Sequence, residues 1–157
     1  MQSRRPFTNK EVMSILCSVV LAMSHISKLE LLHYTLNPDD IVIDENGICK
    51  VISSNLSLHQ FDFNPDKKFY YAPETLKIFK LQTATNTITN KSAVFTLGMT
   101  ILSMVHLSDL HDIYNFNTYT INNEEINELI NMIYDEDLKK ILVKMLRYHS
   151  YERITFT

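Results

Sequence analysis

Behind the polar start Thr8-Asn9-Lys10-Glu11, apolar residues recur at helical spacing: Val12, Ile15, Leu16, Val19, Val20, Met23 and Ile26. This spacing predicts a long helix over roughly residues 9–27. Thr8 and Glu11 form a capping-box pattern, in which a hydroxyl and a carboxylate satisfy each other's backbone N–H groups. The period then changes. Two short β-rich runs, IVID and ICKVI, flank Asn46-Gly47 and predict a tight hairpin at about 41–44 and 48–52. Residues 54–71 lack periodicity and read as a loop. Pro73 precedes a short segment over 74–81, and the Thr/Asn-rich stretch 82–91 reads as a surface loop. Val94, Leu97, Gly98, Ile101, Leu102 and Val105 mark a strongly apolar, central helix. Two further stripes follow, Ile126-Leu129-Ile130-Ile133 and Leu138-Ile141-Leu142-Met145-Leu146, with Asn122 and Asp135 placed to cap them. The expected fold is mainly α with a small β-hairpin, as one domain over residues 1–157.

Composition narrows the function classes. At 157 residues the chain is long enough for one ordinary core. Hydrophobic content of 45% with 21% charged residues is that of a soluble globular protein. The net charge is −3, the basic residues are scattered, and Arg4-Arg5 is too short for a nucleic-acid arm. No nucleic-acid partner is expected. Two glycines and the absence of G-x-G-x-x-G or G-K-[ST] disfavour a dinucleotide or P-loop site, so no cofactor is expected. Cys17 and Cys49 make no disulfide framework, and Cys17, inside an apolar run, reads as a small buried hydrophobe. The start MQSRRPFTNKEV carries no signal-peptide core, and the run Ile15–Met23 is too short and too amphipathic to span a bilayer. An intracellular location is expected. The six histidines have no zinc-like spacing.

The stretch LLHYTLNPDDIVI, residues 31–43, resembles the catalytic loop of protein kinases, His-Arg-Asp-Leu-x-x-x-Asn. His33 and Leu36 match it. Tyr71-Ala72-Pro73-Glu74 resembles the Ala-Pro-Glu motif. SAVFTLGMTIL resembles the central helix with its Leu-Gly step, here Leu97-Gly98. MLRYHSYERIT resembles the segment that ends in a structural arginine, here Arg153. Together these resemble a protein kinase C-terminal lobe. The resemblance implies that His33 packs under the loop and that Glu74 and Arg153 form a buried ion pair. It also places the missing chemistry. The base position is Thr35, which has no carboxylate. The metal-binding Asn position is Asp40, and the Asp of Asp-Phe-Gly is Ser53. The Asp opening the central helix is Ala93. No glycine-rich loop, strand lysine or partner glutamate precedes the first helix, so the N-lobe is expected to be absent.

A more specific similarity is to the KIND module, the kinase non-catalytic C-lobe domain. RRPFTNKEVMSIL, NPDDIVIDENGICKV, YYAPETL and VFTLGMTIL all resemble its segments. Met13 departs from the family's usual Trp, and His33 is more kinase-like than usual. KIND modules bind proteins; in Spire-type actin nucleators the module binds a basic formin tail. The resemblance implies a pseudokinase scaffold, not an enzyme, with a protein or basic peptide partner. It also implies a cytoplasmic or cytoskeleton-associated place in the cell. The alternatives are a structural subunit of a large assembly, or a degraded pseudokinase fragment completed by a partner.

Several residue groups carry an ordinary reading beside a sharper one. Asp39, Asp40, Asp44 and Glu45 cluster at the hairpin, and a solvated turn is favoured over a Mg²⁺ site. No metal is expected. Glu124, Glu125, Glu128, Asp135, Glu136 and Asp137 offer an acidic face for a basic peptide. Acids at helix starts also stabilise the dipole, which is the more ordinary role. Tyr34, Phe61, Phe63, Phe69 and Tyr70 either form a partner surface or fold over the former cleft. Apolar surface near Leu36, Ile41 and Val42 is expected to need cover.

Overall fold

Residues 5–28, 36, 38–52, 69–82 and 89–156 are described by the structure, a computed structural model. His33, Tyr34, Thr35, Ser53, Phe61 and Phe63 lie outside them. The element order is α1 (Asn9–Lys28), β1 (Ile41–Ile43), β2 (Cys49–Val51), α2 (Pro73–Leu81) and α3 (Asn90–His106). Then come β3 (Tyr114–Asn115), β4 (Thr120–Ile121), α4 (Asn123–Asn131) and α5 (Glu136–Met145). Three 3₁₀ turns sit at Pro38–Asp40, His111–Ile113 and Ser150–Glu152. The described residues are mostly helical, with two small antiparallel sheets.

α3 is the centre. Every residue from Ser92 to Ser103 is buried, so the helix is enclosed on all sides. α1, α4 and α5 pack on it. Its buried hydroxyls need partners, and local carbonyls supply them. Thr96 Oγ1 donates to Ala93 O at 3.0 Å, and Ser103 Oγ to Ser108 O at 2.6 Å. Gly98 faces the end of α5. A Cβ there would lie 2.8 Å from Leu146 Cδ2, so glycine permits the close approach of the two helices.

The caps follow the side chains. Thr8 N donates to Glu11 Oε2 at 2.8 Å and Glu11 N to Thr8 Oγ1 at 3.3 Å, which is the reciprocal box. Asn122 Oδ1 accepts from Glu125 N at 3.3 Å, and Asp135 Oδ1 from Leu138 N at 2.9 Å. In the first hairpin Ile41 pairs with Val51 and Ile43 with Cys49, and Gly47 takes φ +78° at the turn.

Some expectations are corrected. Cys17 is exposed, because α1 turns its Val12-Ile15-Leu16-Val19-Met23 face inward and Cys17 falls outside that stripe. α1, with a mean hydropathy of 1.3, is long and apolar enough to cross a membrane by length and composition only, a test that the core helix of a soluble protein also passes, so it leaves the membrane expectation unchanged. Here its inward face packs against α3 and β2. The stretch 82–91 is not all loop: Thr89 caps α3, and Asn90 and Lys91 begin it. Of the residues expected to need cover, Leu36 is fully buried, with its carbonyl accepting from Thr100 Oγ1 of α3, while Val42 is exposed together with Ile43, Ile48 and Ile52 of the hairpin.

Candidate interaction site

The loop that the sequence likens to a catalytic loop is anchored at one described point. Thr100 Oγ1 lies 2.7 Å from Leu36 O and 2.9 Å from Thr96 O, and its single proton serves both carbonyls. Leu36 is fully buried. Asp40 closes the following 3₁₀ turn, and its carbonyl accepts from Ile52 N at 2.7 Å, tying β1's entry to β2's exit. Thr35, His33 and Ser53 lie outside the described residues, so Asp40 and Ala93, the latter buried at the start of α3, are the kinase-motif positions with a described setting.

The hairpin acids are engaged in making the turn. Asp44 Oδ1 accepts from Ile48 N at 2.9 Å and Asn46 N at 3.0 Å, and Lys50 Nζ is 3.2 Å from Asp44 Oδ2. The Ile48 amide, with help from Lys50, holds the Asp44 carboxyl below its ordinary pKa against a smaller opposing effect of burial. Among the described residues no three His, Cys, Asp or Glu side chains converge as a metal-binding group.

A pocket of about 340 Å³ opens beside Asp39. Its walls come from four parts of the chain: Phe7 ahead of α1, Pro38-Asp39, Tyr70, and the end of α3 with Asp109 just beyond. Phe7, Tyr70, Met104 and Leu107 give apolar surface, and Asp39 and Asp109 give carboxylates that also interact within the fold, Asp109 Oδ1 accepting from His111 N at 3.0 Å; among the described residues no Lys or Arg lines the pocket. The walls are tied down. Tyr70 Oη accepts from Leu110 N at 3.3 Å, and Tyr70 stacks on Tyr114 at 6.3 Å between ring centroids. Tyr114 Oη in turn accepts from Tyr71 N at 3.2 Å and donates to Tyr71 O at 3.1 Å. Burial pushes that phenol's pKa well up, so it stays a neutral clamp. Tyr70 and Tyr71 are therefore core residues, and Tyr70 lines the pocket. The short sheet β3–β4, which carries Tyr114, has strands of only two residues each, too short for periodicity to reveal.

An ion-pair hub lies at the other end of α3, beside Lys91 and Ser92. Arg153 Nη1 donates to Glu74 Oε1 at 2.6 Å and Nη2 to Glu74 Oε2 at 2.8 Å. The same guanidinium donates to Arg147 O at 2.7 Å, Lys91 O at 2.8 Å and Tyr148 O at 3.0 Å. Ser92 Oγ adds a donor to Glu74 Oε1 at 2.8 Å. Burial alone would raise the Glu74 carboxyl, but the bonds and charge of Arg153 together outweigh it and the pKa falls. All five donors of the arginine fork are used.

The second acidic set lies elsewhere, around the starts of α4 and α5. Asp135 is an N-cap, Glu125 accepts from Asn122 Nδ2 at 3.1 Å, and Asp137 is 3.7 Å from Lys140. Glu124, Glu128 and Glu136 are exposed beside them. Glu124, Glu125, Glu136 and Asp137, in the first turns of α4 and α5, fit the helix-dipole role; Glu128, in the second half of α4, does not.

A family model described as "Protein kinase domain" matches residues 1–157. The chain belongs to the protein kinase domain family. It is also similar to a Dual specificity protein kinase, zak2, of Dictyostelium discoideum, with 30% identity over 112 residues. That similarity covers 63% of this chain and 16% of the relative's own length. In this chain the Glu74–Arg153 hub holds the start of α2 against the segment after α5, and Thr100 ties Leu36, in the catalytic-loop-like stretch, to the central helix.

Proposed function

We propose that this chain is a non-catalytic protein-interaction module, a KIND-like kinase C-lobe, that captures a basic segment of a partner protein. The observation that carries the reading is the pocket lined by Asp39 and Asp109 with aromatic and aliphatic walls. An Arg or Lys side chain has the complementary shape, an apolar stem with a cationic head. The sequence supports binding over catalysis. Thr35 stands at the base position and Ser53 at the main metal-binding position, so neither carboxylate of phosphoryl transfer is supplied. The partner is a protein or peptide inside the cell, and the cytoskeletal link of KIND modules makes an actin-regulating partner the first class to try.

The test is fluorescence anisotropy with Arg/Lys-rich peptides and acidic controls. Basic peptides should bind, and more weakly as salt rises. Asp39→Lys should weaken binding by about tenfold or more, equivalent to about 1.4 kcal/mol. Charge reversal at Glu124 and Glu128 should leave binding unchanged; the opposite result moves the site to the α4–α5 acids. Equal binding of acidic peptides would overturn the reading.

Membership in the kinase family and similarity to zak2 favour a second reading, a phosphotransferase completed by a partner. It requires a rise in Tm with Mg-ATP. A third, a structural subunit, requires that the protein isolated from its own cells run only in one large stoichiometric assembly.

A further inference from the structure

The chain has a single Asn-Gly step, Asn46-Gly47, because its other glycine, Gly98, follows Leu97. The step sits at the tip of the β1–β2 hairpin, where Asn46, Gly47 and Ile48 are all exposed. Asparagine before glycine is the pair most prone to lose ammonia on its own, since no side chain on the second residue shields its backbone nitrogen from the asparagine carboxamide. The space around Gly47 is open: a Cβ built there would meet nothing within 4 Å. The turn also carries a guard. Gly47 N donates to Asp44 O at 2.9 Å, and Asp44 Oδ1 accepts from Asn46 N at 3.0 Å and Ile48 N at 2.9 Å. The Gly47 nitrogen must lose its proton before it can attack, and a bonded N–H gives that proton up when the turn opens locally. The Asp44 clamp thereby sets how often the nitrogen is free to react. We propose that Asn46 is a self-modification site, converted to isoaspartate in the folded chain at a rate gated by Asp44, and that conversion frees the Pro38–Asp40 turn from the hairpin.

The chemistry needs water as its only co-reactant. Gly47 N bonds to Asn46 Cγ, the Cγ–Nδ2 bond breaks, and ammonia leaves with the Gly47 amide proton, which closes a cyclic imide. Water then opens the imide. Cleavage of the bond between Cγ and nitrogen gives aspartate, and cleavage at the α-carbonyl gives isoaspartate, whose main chain runs through the β-carbon. Isoaspartate therefore inserts an extra backbone carbon between Asp44 and Ile48 and sets a new carboxylate beside Asp44 and Glu45. The pairs Ile43–Cys49 and Ile41–Val51 no longer fit that turn, because hairpin register follows from turn length. Just beyond them Ile52 N donates to Asp40 O at 2.7 Å. That bond ties the hairpin to the 3₁₀ turn carrying Asp39, so a disrupted ladder also releases a wall of the acidic pocket. The link to peptide binding rests on the interaction-module reading; the conversion and the loss of the tie do not.

The experiment incubates the whole chain for weeks, folded and in urea, at neutral and mildly alkaline pH. Peptide mass spectrometry in heavy-oxygen water maps the sites, and isoaspartyl methyltransferase counts the isoaspartate. Asn46 should convert ahead of every other asparagine, faster as pH rises, and more slowly in the folded chain than in urea. Asp44→Ala should speed the folded chain's conversion about tenfold or more, the effect of losing two bonds to a carboxylate. Asp44→Asn, which keeps an acceptor, should speed it less, and Asn46→Gln should block it. In the converted protein the Ile52 amide should exchange faster, whereas Asn46→Asp, which adds the charge without the extra carbon, should leave it protected. Converted protein should bind basic peptides more weakly than fresh protein. If fresh protein binds none, the interaction reading fails, while mass, gating and exchange still decide this proposal. It is overturned if the folded chain does not convert at Asn46, if another asparagine converts first, if a folded Asp44→Ala converts no faster, or if Ile52 stays protected after conversion. Should Asp44→Ala not fold, equal rates in the folded and urea-treated chain overturn the gating instead.

Discussion

Replacing Glu74 by alanine should be among the most damaging single changes in this protein. The perturbation strands Arg153, whose side chain is 0% exposed and whose charge cannot be shed by deprotonation. The three backbone carbonyls of Lys91, Arg147 and Tyr148 still accept from it, but the countercharge is gone. Breaking a buried pair in this way costs about 3–5 kcal/mol. With a urea m-value of about 2 kcal/mol/M, the unfolding midpoint should fall by about 2 M. Arg153→Met should cost somewhat less at neutral pH, for two reasons visible in the hub. The stranded Glu74 keeps the Ser92 hydroxyl and 19% side-chain exposure, and it can take up a proton. The pH dependence separates the two variants. In the parent, Glu74's folded pKa lies below its unfolded value. Its pairing therefore stabilises the fold above the unfolded pKa, and that contribution is lost as pH falls through the folded pKa. Without Arg153, burial raises the folded pKa instead, and mild acidification should restore stability to Arg153→Met but not to Glu74→Ala. The double variant Glu74→Leu, Arg153→Met should cost less than the sum of the singles by about 2 kcal/mol or more. Chemical denaturation followed by circular dichroism, across pH, measures all of this. Single-variant losses under about 1 kcal/mol, or strict additivity, would refute the claim that the hub is a coupled buried pair.

Gly98→Ala should destabilise by about 1–3 kcal/mol in thermal melts, because the added Cβ sits 2.8 Å from Leu146 Cδ2 and forces α3 and α5 apart. A gain in Tm from better helix propensity would show that Leu146 can move aside. Asp135→Ala removes the acceptor for two amides at the start of α5 and should cost about 1 kcal/mol in urea unfolding. Glu11, held by Arg5 and by the amide and hydroxyl of Thr8, has its pKa lowered from 4.5 to about 2. Its cap is intact above pH 4.5 and should loosen as pH falls towards 2, seen as faster amide exchange at the start of α1. Thr100→Val frees Leu36's carbonyl, and hydrogen exchange at Leu36 should quicken without loss of the surrounding helices.

What could be read from the residues was what repeats or has a local chemical cause. The α1 and α5 stripes, the Thr8–Glu11 box, the Asn122 and Asp135 caps and the Asn46-Gly47 turn all depend on neighbours within about four positions. Cys17 was misread because an apolar run says how hydrophobic a helix is, while the angle of each residue decides burial. The pocket beside Asp39 was not legible. Its walls come from Phe7, Asp39, Tyr70 and Asp109, and only the tertiary fold brings such distant positions together. The acids of α4 and α5 were easier to see because they are adjacent in sequence, yet several already serve as caps or pair with neighbours. Adjacency was legible from the residues; of the convergences, the Glu74–Arg153 pair was reached through the family resemblance and the pocket was not reached at all.

The span of the Arg153–Glu74 contact has a consequence for how the protein is made. The two residues are 79 positions apart, so the ribosome releases the carboxylate long before its cation exists. Lys91, Arg147 and Tyr148 wait for the same late residue. Until then Glu74 has the Ser92 hydroxyl but no countercharge, and the start of α2 relies on that bond, the Tyr71–Tyr114 bonds and apolar packing. Pairings of such long sequence separation slow folding and leave partly closed intermediates exposed. On this account the nascent chain is most vulnerable to aggregation and proteolysis while Arg153 is still to be made, and a stop codon shortly before Arg153 is worse than many substitutions within the core.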